Sequence, residues 1–72
     1  MREIWVVEYS ADQDCFHIDT MDKIVRCNRR AMSNGKFLSY VPVGYADSVE
    51  RASELAGIYR SQMERSKPLR AV

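Results

Sequence analysis

Seventy-two residues with eleven Lys and Arg against ten Asp and Glu, a formal net charge of +1, make one small domain with a modest core. Hydrophobic residues at 46% and charged residues at 29% exclude a disordered chain, and the near-neutral balance excludes a global attraction to nucleic acid or to a membrane surface. No apolar run approaches the roughly 18 residues a membrane span needs, and no signal-peptide pattern follows Met1, so the expected location is the cytoplasm.

Ile4 to Tyr9 is the first predicted strand, β-branched and aromatic almost throughout. Ile4 and Val6 share one face while Trp5, Val7 and Tyr9 share the other. Apolar residues on both faces predict a central strand and pose the question of what covers its second face. The polar cluster Ser10 to Asp14 predicts a hairpin loop into a second strand, Cys15 to Ile18.

Asp19 to Asn34 reads as a helix. Asp19 or Thr20 can cap its start, and Met21, Ile24, Val25, Ala31 and Met32 recur at helical spacing, with Asn28 interrupting the stripe. Arg29 and Arg30 suit the C-terminal end of the dipole, and Asn34-Gly35 offers a left-handed cap. The same Asn-Gly pair is also a strong hairpin signal, so the alternative order is four strands and one helix. Arg26 to Arg30 shows no strand alternation, which favours the helix.

Phe37 to Val43 is the third predicted strand. Pro42 places it at an edge or near a strand end, and Gly44 is expected to break it. Asp47 with Glu50 three residues on is a capping box opening the last helix, whose stripe is Val49, Ala52, Ala56, Tyr59 and Met63, flanked by Leu55. Arg60 is expected to pair with Glu64, and Gly57 suggests a close approach to the sheet or another helix. Lys67-Pro68 should end the helix, leaving 68–72 as a flexible tail. The fold class is therefore α+β, a three-stranded antiparallel sheet with two helices in the order β-β-α-β-α.

The candidate chemistry is sparse. Cys15, His17 and Asp19 alternate along a strand and could face one side, but they lack a paired metal-ligand motif or a nucleophile with base and oxyanion donors. Cys15 and Cys27 are expected as free thiols, with one disulfide as the alternative. The glycines form no phosphate loop, and one histidine without Gly-x-Ser-x-Gly fits no hydrolase template. No catalytic, cofactor or metal residue is assigned, and the chain is not expected to be an enzyme.

Two surface functions are expected instead. The first is a small protein-binding or regulatory module, acting on a protein partner or on itself as a homodimer through Ile4, Val6, Tyr40 and Tyr45. The second is nucleic-acid or acidic-partner binding through Arg26, Arg29, Arg30 and Lys36. The second face of the first strand is the open point: core, dimer seam or partner site.

Overall fold

The computed structural model describes residues 3–66. Its elements are β1 (Trp5–Ser10), β2 (Cys15–Thr20), α1 (Met21–Ser33), β3 (Tyr40–Ala46) and α2 (Val49–Ser66). They form an antiparallel sheet in the order β2-β1-β3, with the expected strand in its centre. The predicted tail, and the end of α2 at Lys67-Pro68, lie outside the described residues.

The β1–β2 loop is fixed by Asp14, whose φ of 50° lies in the left-handed region. Its Oδ1 accepts from Tyr9 OH (2.7 Å) and from Arg60 Nη1 (2.9 Å), while its carbonyl accepts from Arg60 Nη2 (2.9 Å). The Arg60 guanidinium also lies 5.1 Å from the centre of the Phe16 ring. Arg60 thus ties α2 to the hairpin, and not to Glu64 as its helical spacing suggests.

Thr20 ends β2 and caps α1, accepting from Lys23 N (3.4 Å); Asp19 stays in the strand and accepts from Thr20 N (2.8 Å). Met21 N donates to the Ile4 carbonyl (2.8 Å), which holds the start of α1 against the start of β1. At the other end, Gly35 N donates to Met32 O (3.0 Å) and Lys36 N to Ala31 O (2.8 Å), with Gly35 at φ 70°. That double bond across a left-handed residue is the Schellman ending of a helix. It excludes the hairpin alternative at Asn34-Gly35.

β3 begins three residues later than expected and contains both Pro42 and Gly44. Its register against β1 runs Ser10↔Tyr40, Tyr9↔Val41 and Glu8↔Pro42, then skips Val43 to resume at Val7↔Gly44 and Val6↔Tyr45. This bulge lets Pro42 and Gly44, two residues apart, take opposite faces of the sheet. Pro42 is tolerated because β3 is an edge strand. Gly44 is required because the Tyr59 ring of α2 lies directly over it. The close approach expected at Gly57 falls here instead; around Gly57 there is open space.

The cap of α2 is also displaced by one residue. Ser48 Oγ accepts from Arg51 N (3.1 Å), taking the role the capping-box pattern assigns to Asp47.

The helices divide between the two faces. On the face of Trp5, Val7 and Tyr9, α2 packs with Ala52 buried and Leu55, Ala56, Tyr59 and Met63 half-buried, while Val49 remains exposed. Phe16 bridges Tyr9 and Tyr59, at ring separations of 5.0 and 6.4 Å. On the face of Val6, Glu8 and Ser10, α1 packs over β2 and β1 through Ile24.

Candidate functional site

Only Val6, Val7, Ile24 and Ala52 are buried hydrophobics among the described residues. Several large apolar side chains instead gather around a groove between α1 and β3, on the Val6 face of the sheet. Val6, Ile24 and Gly44 form its floor, Met21 and Val25 its α1 wall, and Val43 and Tyr45 its β3 wall. At the C-terminal end of α1 the groove continues between Val25, Arg29, Met32, Phe37 and Leu38. Phe37 is 84% exposed, Tyr45 73% and Met32 59%. The local reason is the helical phase of α1: Ile24 and Ala31 turn onto the sheet, which sends Met21, Val25 and Met32 sideways toward β3.

The groove has an electrical direction. Glu3, Asp19 and Asp22 lie at its Met21 end together with Lys23 and Arg26, while Arg29 borders the Met32 end beside Arg30 and Lys36 in sequence. Asp22 is bonded to Arg26 within the helix (3.1 Å).

Beside the groove, and sharing Ile24, Asn28, Leu38 and Tyr40 with it, lies a mainly apolar cleft of about 320 Å³ into which Glu8, His17, Asp19, Lys23 and Cys27 bring polar groups. Pairing of Ser10, Glu8 and Val6 with Cys15, His17 and Asp19 puts the alternating trio on this face, as expected if the strand extends through Asp19. His17 Nε2 stands 3.7 Å from Asp19 Oδ2, and its ring is 5.6 Å from that of Tyr40. Cys15 Sγ and Tyr40 OH share a hydrogen bond of 3.2 Å, which holds the phenol above its usual range. No group of three or more His, Cys, Asp or Glu among the described residues is placed to hold a metal ion, and Cys15 and Cys27 are both free.

Of the expected partner-binding residues, Tyr45 and Ile4 are exposed, Tyr40 is half-buried and Val6 is buried as groove floor. Arg26 is engaged by Asp22; Arg29, Arg30 and Lys36 are exposed without an acidic partner among the described residues. The sequence reading missed Met21, Val25, Met32, Phe37 and Val43 as groove walls, and Glu8 altogether. Glu8 did carry a signal, being the lone carboxylate inside an otherwise apolar and aromatic strand.

Burial holds the Glu8 carboxyl above its ordinary value of 4.5; Asp19 adds to the shift and His17 opposes it. A raised folded value means that the fold prefers the protonated acid. Its contribution to stability is complete below the ordinary value and is lost as pH rises through the folded value. Glu8→Gln is therefore expected to gain stability over the parent chain as pH rises above the ordinary carboxyl value of 4.5, measured by denaturant unfolding. A gap between variant and parent that stays constant through that rise would refute the shift.

No known protein family, curated protein or solved structure matches the chain. The fold and the groove define a small α+β chain with an open apolar face. No helix among the described residues is long and apolar enough to cross a membrane.

Proposed function

We propose that this is a small non-catalytic protein-binding module that works through the groove between α1 and β3, and that the occupant of the groove is a second copy of the chain. The observation that carries the reading is the contiguous apolar surface of the groove, larger than scattered exposed side chains and flanked by charge.

Two features select a second copy. Met21, Val25, Asn28 and Met32 follow a four-three-four spacing, the pattern of a helix seam, with one polar residue of the kind that fixes register. The charge direction is self-complementary: α1 carries Asp22 in its first turn and Arg29 and Arg30 toward its last. Two copies of α1 packed antiparallel set Asp22 of each against Arg29 of the other and oppose the helix dipoles; parallel packing would stack like charges.

The test is sedimentation velocity on the whole chain across a wide concentration range, for the parent, Val25→Glu, and Ile58→Glu on α2 as a control. Concentration-dependent dimerisation lost only in Val25→Glu supports the reading. A monomer at every concentration, or equal loss in the control, sinks it.

A second reading rests on Arg29, Arg30 and Lys36, which have no acidic partner among the described residues and so are available to phosphates. If all three contact a nucleic-acid backbone, log affinity should fall against log salt with a slope of about −2 to −3. Absence of binding at low salt removes this reading.

A further inference from the structure

The cleft on the Lys23 and Cys27 side of α1 borders the groove through Ile24, Asn28, Leu38 and Tyr40, and it makes a more specific chemical statement. Glu8 is 4% exposed, on the central strand, between His17 of β2 and Pro42 of β3. Its carboxylate accepts no hydrogen bond from a described residue. No fully buried side-chain nitrogen or oxygen lacks a partner among the described residues, so the Glu8 oxygens open into the cleft and not into the interior. A carboxylate in this position is costly until a donor reaches it.

We propose that the cleft binds a guanidinium group, supplied by an arginine side chain of a bound protein. The carboxylates of Glu8 and Asp19 give it anionic acceptors, and the fork of a guanidinium meets a carboxylate with two parallel N–H donors. The Tyr40 ring, beside His17 at 5.6 Å, offers a face for a planar cation. Ile24, Asn28 and Leu38 complete the lining, and the apolar walls of Ile24 and Leu38 suit the weakly hydrated guanidinium better than a strongly hydrated ammonium. The other titratable groups facing Glu8 are Lys23 and Cys27 of α1. Lys23 is bonded to no acid among the described residues, and it competes with the guest for the same carboxylates.

The inference rests on the protein-binding reading only for the source of the arginine. The test therefore uses a free probe, N-acetyl-arginine amide, titrated into the whole chain and followed by NMR, with the neutral isostere N-acetyl-citrulline amide alongside. The expected result is saturable shifts at Glu8, His17 and Tyr40 with the arginine probe alone, and a fall in the titration midpoint of Glu8 as the probe binds. Glu8→Gln should weaken binding about tenfold or more, and Lys23→Met should strengthen it. Equal shifts with citrulline, unchanged affinity in Glu8→Gln, or no saturable shift would each overturn the proposal. A monomeric chain that still binds the probe leaves this site standing and removes only the second-copy reading; the converse result removes only this site.

Discussion

Gly44→Ala is expected to lower the stability of the chain by about 1–3 kcal/mol, the usual cost of forcing extra volume into a packed site. A Cβ at position 44 would press on the Tyr59 hydroxyl and lie 2.9 Å and 3.0 Å from Cε2 and Cζ of the same ring. The ring cannot simply turn aside, because Tyr59 packs against Phe16, which packs in turn against Tyr9. Relief requires α2 to lift from the centre of the sheet, where Val7 and Ala52 are fully buried. Thermal unfolding should show a fall of about 4–8 °C for each kcal/mol lost. Gly57→Ala supplies the contrast: its Cβ would enter open space in the middle of a helix, and it should gain about 0.5–1 kcal/mol. A stabilised or unchanged Gly44→Ala would mean that Tyr59 does not hold α2 to the sheet. Combining Gly44→Ala with Tyr59→Leu should recover part of the loss if the two residues are coupled through this contact.

Val25→Glu is expected to weaken self-association by about 100-fold or more, because an unpaired carboxylate in a closed interface costs about 3–5 kcal/mol. Val25 is exposed in the single chain, so unfolding of the monomer should change by no more than about 0.5 kcal/mol. The double variant Val25→Glu with Asn28→Lys tests the geometry. In an antiparallel pair of α1 helices, position 25 of one copy meets position 28 of the other, so the introduced acid faces the introduced base and association returns. In a parallel pair each position meets itself, and the double variant stays monomeric. Recovery in sedimentation velocity therefore identifies the antiparallel seam; a persistent monomer rejects it.

These two expectations separate what is local in the chain from what is not. Residues 20–36 are legible because helix signals are local: Thr20 and Lys23 make the start, and the Asn34-Gly35 pair makes a Schellman end within three residues of the last turn. The third strand was misplaced for the opposite reason. Phe37 and Leu38 have strand-forming side chains, but the start of β3 is set by its pairing with Ser10, and Phe37 and Leu38 were left as an exposed wall of the groove. Glu8 is the same lesson in electrostatics. Its carboxyl is unremarkable in a list of residues and becomes a site only when α1, β2 and β3 close around it.

The sequence by itself placed β1 at the centre, showed apolar side chains on both of its faces, and favoured the order β-β-α-β-α over the hairpin alternative at Asn34-Gly35. It could not determine which helix covers which face. An amphipathic stripe specifies that a helix must be buried, not the direction from which it arrives. Tertiary structure decided that point by placing α2 over Gly44, where the missing side chain admits the Tyr59 ring, and α1 over β2 and β1 on the other face. α2 lies across all three strands of its face, whereas α1 is set toward β2 and β1 of the opposite face. The groove beside β3 is the part of that face left over.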